Sequence, residues 1–184
     1  MTYSHLNDFP ADVRERAARI RLAAFDVDGT LTDGRITLGS NSHEAKSFHV
    51  GDGLGLRLLG EYGVPVALVT ARGGSVVATR AKELGIGHVF TGVGDKRACI
   101  ETLRGQLGID AAQIAYMGDD LPDLPVLAIA GLAVAPADAH PWVRERVHWR
   151  TRHPGGHGAA RELCDLLLAA QGHADAILAR YLPA

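Results

Sequence analysis

Residues 22–34 read LAAFDVDGTLTDG. Four apolar residues, Leu22-Ala23-Ala24-Phe25, run into Asp26, Val27 and Asp28, and then into Gly29, Thr30, Thr32 and Asp33. A short apolar run bounded by turn residues suits a buried strand of a parallel sheet. Alternate side chains on a strand share a face, so Asp26 and Asp28 look one way and Val27 the other. At about 3.3 Å of rise per residue their backbones lie roughly 6 to 7 Å apart, wide enough to flank one small group such as a phosphoryl. The glycine and threonines that follow break the strand. Both carboxylates therefore stand at its C-terminal end, where open α/β sheets hold their ligands. A lone Asp-x-Asp reads more simply as a strand end capping a turn. Here the acids follow a core run, and paired negative charge near a core is costly without a cation or donors.

Outward from this stretch, strands and helices alternate. Residues 11–20 follow Pro10 with helical spacing and precede the key strand. Residues 34–38 and 43–50 form two alternating segments around Gly39-Ser40-Asn41-Ser42, the pattern of a polar β-hairpin projecting from the fold. A helix starting at Asp52 and closing at Gly63 comes next, then a buried strand over 64–70 ending on Thr70. A helix over 75–84 stops at Gly85, a short strand covers 88–90, and a helix covers 96–107. Residues 114–117 make a fourth buried strand that ends at Gly118-Asp119-Asp120. Residues 121–130 read as a helix with Pro122 and Pro125 near its start, 132–134 as a fifth strand and 147–149 as a sixth. Helices over 159–170 and 174–182 finish the chain. Such alternation calls for an α/β fold with a doubly wound, mostly parallel sheet. No repeat or linker divides the chain, which reads as a single domain over residues 1–184, with the hairpin at about 34–50 and a C-terminal tail at about 172–184.

At 184 residues with 47% hydrophobic content, one domain can bury a substantial core. A net charge of −2 gives no general attraction for nucleic acid or an anionic membrane, so an anionic substrate must be drawn in locally. Cys99 and Cys164 are too few for a disulfide framework and read as reduced core residues. No continuous apolar stretch is long enough to span a bilayer. The opening MTYSHLNDFPADVRERAARI lacks the cationic start and apolar run of a secretory signal. The expectation is a cytoplasmic chain.

The strand ends collect chemistry at one sheet edge. They supply Asp26 and Asp28, then Thr70, then Asp119 and Asp120, with Lys96 opening a helix after Thr91-Gly92-Val93-Gly94-Asp95. Taken singly, Thr70 is a strand-end turn residue and Lys96 a solvated one; together they make what hydrolysis of a phosphate monoester needs. Oxygen ligands suit a hard divalent ion such as Mg²⁺, which offsets repulsion between a carboxylate nucleophile and an anionic phosphate. Thr70 and Lys96 would hold phosphoryl oxygens and take up charge in the transition state.

The chain resembles the haloacid dehalogenase superfamily of phosphotransferases. DVDGTLTDG matches its first motif, Thr70 after an apolar strand the second, Lys96 the third and GDDLPD the fourth. The resemblance implies Asp26 as the nucleophile that becomes a phospho-aspartate and Asp28 as general acid, then base. It also implies metal ligation by Asp26, the Asp28 backbone carbonyl and Asp119, supported by Asp120 and Asp123. Relatives usually insert a cap domain after the first motif or between the second and third. Here those gaps hold only the hairpin with a helix, and one βα unit, so another subunit is expected to cover the site.

Within that superfamily the chain is similar to the small capless phosphatases of 3-deoxy-D-manno-octulosonate 8-phosphate (KDO 8-phosphate), through HEAKSFHVGDGLGLR, TARGGS, RAKELGI and GGHGAARELCDLLL. That similarity implies a homotetramer with packed hairpins and a C-terminal segment able to close over a neighbour's site. It also implies substrate contacts from His49, Val50, Gly51, Asp52, Gly53, Arg57, Arg72, Arg80 and Lys96, beside Asp28. His49 and Gly51 depart from the family's pattern of asparagine and, two residues on, arginine. The absent arginine removes one partner for a sugar carboxylate; Arg72 and Arg80 could serve through bidentate guanidinium pairing. Without the family, Arg57 and Arg80 read equally as a solvated helix face. The same chemistry on another acidic sugar phosphate, such as a nonulosonate 9-phosphate, is the near alternative. A receiver-like phospho-switch gathers similar residues but places its acidic pair and its phosphoacceptor on different strands. A catalytically silent, oligomer-forming relative is disfavoured because no catalytic position is substituted.

Overall fold

The computed structural model describes residues 6, 8–39 and 44–182. In chain order, α1 (Ala11–Ala17) leads to β1 (Leu22–Phe25), and β2 (Thr37–Leu38) and β3 (Glu44–Ala45) precede α2 (Val50–Glu61). Then follow β4 (Val66–Val69), α3 (Ser75–Leu84), β5 (His88–Phe90), α4 (Lys96–Leu107) and β6 (Ile114–Met117). The chain closes with α5 (Leu124–Leu127), β7 (Leu132–Ala135), α6 (Pro141–Arg144), β8 (Trp149–Arg150), α7 (Ala159–Ala170) and α8 (Ala174–Tyr181).

The apolar runs pair in parallel, in the order β5-β4-β1-β6-β7-β8. β1 is central, with Ala24 opposite Ala67 of β4 and Tyr116 of β6. The chain winds from β1 to one side through β4 and β5, then returns to β6 on the other. The end of β1 is thus the switch point where such sheets open a crevice. Period-2 alternation divides the core between the two faces. Ala23, Phe25, Leu68 and Met117 pack under α1, α2, α3 and α7. Leu22, Ala24, Val69 and Tyr116 pack under α4, α5 and α6. Residues β-branched or aromatic enough for strands lie fully buried on both faces, as central parallel strands require.

Boundaries differ from the sequence expectations where side chains compete for the backbone. The hairpin ladder is confined to Thr37 opposite Ala45 and Leu38 opposite Glu44, and the expected turn residues 40–43 lie outside the described residues. Residues 46–49 run extended without a ladder, and the helix begins at Val50 rather than Asp52 because the His49 ring caps it, Nδ1 accepting from Asp52 N at 3.3 Å. The expected helix over 121–130 is a single 3₁₀ turn, Leu121–Asp123, followed by the short α5. Pro122 and Pro125 remove two backbone donors, and Asp120 caps the turn. β8 starts at Trp149: His148 N still donates to Ala133 O at 2.9 Å, but the His148 ring takes the Ala133 N–H and ends the ladder there.

Two glycines seat the catalytic loop by close approach. A Cβ on Gly29, whose φ is +85°, would fall 2.1 Å from Asp119 Oδ2, and one on Gly155 would fall 1.8 Å from Gly29 O. The glycine-rich segment before α7 thereby lies directly against the loop after β1, where Gly156 N donates to Thr30 O at 3.0 Å.

Candidate active site

Asp26 prolongs β1 by one residue, its N–H donating to Met117 O at 2.9 Å, which directs the carboxylate over the strand ends. Lys96 is the first residue of α4, a helix capped by Asp95, which accepts from Ala98 N at 2.9 Å. Its ammonium is only 5% exposed and lies 2.7 Å from both Asp26 Oδ1 and Asp123 Oδ1. Asp123 also accepts from the buried Tyr116 hydroxyl at 2.7 Å, from Asp119 N at 3.1 Å and from Asp120 N at 3.3 Å. Four donors occupy its two oxygens. Asp123 therefore fixes Lys96 and the loop after β6. Asp119 accepts a long hydrogen bond from Thr30 Oγ1 at 3.4 Å.

Burial, with Asp123 adding and Lys96 opposing, pushes the Asp26 carboxyl up to about 6. Burial and the facing Asp26 and Asp123 push Asp119 to about 8. Burial would lower Lys96, but those same carboxylates hold it above the ordinary lysine value. Oxygens of Asp26, Asp119 and Asp123 lie within 4.8 Å of one another, and among the described residues a single buried ammonium, that of Lys96, pairs with them. The cluster is short of positive charge, and every donor is a carboxylate oxygen, the set a hard divalent cation takes. Asp26 and Asp119, with unused lone pairs, fit Mg²⁺. Asp120 stands apart: it is exposed and accepts from Leu121 N at 2.8 Å.

The second acid of the motif has its own partners. Thr70 Oγ1 donates to Asp28 Oδ2 at 3.3 Å, and the Lys46 ammonium of the hairpin segment donates to Asp28 Oδ1. Lys46 also pairs with Glu44 at 2.8 Å, and Glu44 with Arg72 at 2.8 Å. The hydrogen bonds from Arg72 and then Lys46 hold the Glu44 carboxyl down at about 2.

The expected substrate-contacting residues divide three ways. Arg72 joins the Asp28 chain just described. His49, Gly51, Gly53 and Arg80 gather at the start of α2: the His49 ring covers Gly51, Arg80 covers Gly53, and Arg80 stands 5.8 Å over the Phe48 ring. Val50 is exposed beside them. Asp52 is buried and points away to α7, accepting from Arg161 N at 2.7 Å and Gly158 N at 3.3 Å. Arg57 pairs with Glu61 at 3.6 Å and lines a cleft with Val66 and His88, which start β4 and β5. That is the sheet edge opposite the carboxylates. Asp52→Ala is expected to lower the melting temperature through a loss of about 2 kcal/mol, because it leaves two backbone donors at the N-terminal end of α7, Gly158 N and Arg161 N, unpaired. Thermal denaturation of the metal-loaded protein measures it.

Lys46, Glu44, Tyr116 and Thr30 enter the site without having been expected there. Glu44 and Lys46 are two apart on an extended segment and so share a face, a signal present in the sequence. Tyr116 offered none, since IAYM reads as pure core.

The haloacid dehalogenase-like hydrolase family matches residues 85–163. The chain is 47% identical over 160 residues to the Yersinia pestis 3-deoxy-D-manno-octulosonate 8-phosphate phosphatase KdsC, covering 87% of this chain and 86% of that protein. It superposes on the Moraxella catarrhalis 3-deoxy-D-manno-octulosonate 8-phosphate phosphatase, solved with magnesium, phosphate and KDO, with a TM-score of 0.92 at 40% identity, covering 95% of this chain and 100% of that one. A hypothetical protein of Xanthomonas campestris gives a TM-score of 0.95 at 54% identity, with each chain fully covered. With its two acids on one strand end, its buried lysine and these likenesses, the chain belongs to the haloacid dehalogenase-like hydrolases and, among them, to the 3-deoxy-D-manno-octulosonate 8-phosphate phosphatase family.

Proposed function

We propose that this protein hydrolyses KDO 8-phosphate to KDO and inorganic phosphate, in the supply of KDO for lipopolysaccharide. The observation that carries the chemistry is the separate partnering of the two acids: Asp26 against Lys96 and Asp119, Asp28 against Thr70 and Lys46. That partnering supports Asp26 as the nucleophile and Asp28 as the proton carrier. An Asp26 oxygen attacks phosphorus, and the sugar oxygen leaves with the proton of Asp28. Asp28 then takes a proton from water as that water attacks the phospho-aspartate, releasing phosphate and restoring the Asp26 carboxylate. Lys96 holds a phosphoryl oxygen through both steps, while Thr70, expected beside it, gives its one hydroxyl hydrogen to Asp28 and helps orient the acid. Asp26, Asp119 and the Asp28 backbone carbonyl would hold Mg²⁺, with Asp123 behind them; Asp120, expected there too, caps the following turn instead. Bound there, the ion would supply positive charge that offsets the negative charge of the phosphate.

His49, Val50, Gly51, Gly53, Arg57, Arg72 and Arg80 are assigned to the sugar, Arg72 and Arg80 to its carboxylate; Asp52, expected among them, is committed to α7 instead. The distance between Arg57 and the carboxylates within one chain supports a site shared between subunits. So do Leu38 and Val50, 70% and 81% exposed on and beside the hairpin that stands where relatives carry a cap. The assembly is read as a cytoplasmic homotetramer; among the described residues no helix is long and apolar enough to cross a membrane. Phosphate release from KDO 8-phosphate is expected to exceed that from a nonulosonate 9-phosphate by at least about tenfold in kcat/KM, the discrimination that a few pocket contacts provide. Equal turnover of both would count against a dedicated KDO 8-phosphate enzyme, and full activity of a monomer at nanomolar dilution would count against the shared site.

A further inference from the structure

We propose that Lys46 is the positioning residue of the general acid, so that the hairpin completes the catalytic machinery of its own subunit as well as meeting others. The inference rests on the reading of Asp28 as the proton donor. Lys46 leaves the hairpin on an extended stretch, with Ala45 turned to solvent and Glu44 on the Lys46 side. Its side chain is only 3% exposed. A lysine is seldom driven so far out of water unless its charge is matched. Here it is matched twice, by the carboxylates of Asp28 and Glu44. Glu44 is secured in turn by Arg72. The resulting row, Arg72-Glu44-Lys46-Asp28, alternates in sign from the loop after β4 to the catalytic carboxyl.

The consequence falls on the geometry of Asp28. Thr70 holds one of its oxygens and Lys46 the other, so the carboxyl plane is fixed at two points. With one donor removed, the group is free to turn about its terminal torsion, which is broad for aspartate. A proton donor must meet the leaving oxygen within hydrogen-bond reach, and small misplacements are costly. Lys46 touches no reacting atom; it acts through Asp28.

The test is the leaving-group dependence of kcat/KM, which reports the steps up to phosphoryl transfer. Removing a positioned acid costs about 10² to 10⁴ in rate; Lys46→Met, which leaves the acid present but loose, is expected to lose roughly 10- to 100-fold on KDO 8-phosphate. On p-nitrophenyl phosphate, whose leaving group departs as a stabilised phenolate without a proton, the loss should be no more than about threefold. In an Asp28→Asn background Lys46→Met should add little further loss, since both changes act on one step. Lys46→Arg should recover most of the activity. Equal losses on both substrates, or full additivity with Asp28→Asn, would overturn the proposal and make Lys46 a phosphate-binding or purely structural residue. Should Asp28→Asn itself affect both substrates equally, the acid assignment falls first, and the positioning role with it. If Lys46→Met lowers the melting temperature markedly, Glu44→Gln, which frees the other side of the ammonium, must give the same substrate contrast in weaker form.

Discussion

Asp26→Asn is expected to lower phosphate release by at least roughly 10⁴-fold while leaving the fold intact or more stable, the scale seen when a covalent nucleophile is removed. An amide oxygen carries no full charge and is a poor nucleophile for phosphorus, and the substitution also takes one metal ligand away. The stability side follows from the electrostatics of the site. Asp26 is buried among Asp119 and Asp123, and its carboxyl is pushed up to about 6, so the ionised form is disfavoured in the folded protein. A neutral amide of the same size removes that repulsion, although it also loses half of the Lys96 pairing; Asp123 still holds the ammonium at 2.7 Å. In the absence of divalent ions the melting temperature of Asp26→Asn should therefore equal or exceed that of the wild type. Phosphate release and thermal melting are to be measured on the same preparation. Activity above about one hundredth of the wild type would overturn the covalent mechanism. A variant that fails to fold would show instead that the carboxylate is structural.

The parts of this site that were legible in the sequence are those that strand periodicity carries. Leu22–Phe25 could only be a buried strand, and with it the placement of Asp26 and Asp28 followed. The strands at 88–90 and 114–117 and the helices at 75–84, 96–107 and 159–170 match because glycine or capping residues punctuate most of their ends. Less legible were contacts made through tertiary structure. Asp52 looked like a helix start facing substrate; it is the buried acceptor for a helix more than a hundred residues later, a pairing no local pattern announces. Tyr116 looked like core and is core, yet its hydroxyl serves Asp123. Lys46 lies in a segment that read only as part of a polar hairpin projecting from the fold, because nothing in a sequence says how far a hairpin folds back over the strand ends. The short ladder of that hairpin has the same origin. Residues 46–49 give up strand pairing so that Lys46 can reach Asp28 and His49 can cap α2.

Magnesium ion is expected to stabilise the protein far more at pH 8 than at pH 5. In the metal-free protein Asp26 and Asp119 have folded values near 6 and 8, both above the ordinary 3.8. Between those limits the folded chain binds more protons than the unfolded one, so the free energy of unfolding falls as pH rises. The penalty is absent below about pH 4, grows through pH 6 and is complete above about pH 8. For Asp26 alone a rise from 3.8 to about 6 corresponds to on the order of 3 kcal/mol, each tenfold in proton affinity being about 1.4 kcal/mol. A divalent ion binds the same carboxylates in ionised form and competes with those protons. At a hundredfold excess over its dissociation constant it contributes about 2.7 kcal/mol. For a chain of this length that corresponds to a shift of roughly 5 to 10 °C, at about 2 to 4 °C per kcal/mol. At pH 5 the protons win and the shift should shrink to about 2 °C or less by the same scaling. Melting curves at pH 5, 6.5 and 8, with EDTA or with millimolar Mg²⁺, measure it directly, with Asp119→Asn as the control that should flatten the dependence. A magnesium shift equal at pH 5 and pH 8, or one undiminished in Asp119→Asn, would place the ion somewhere other than between Asp26 and Asp119.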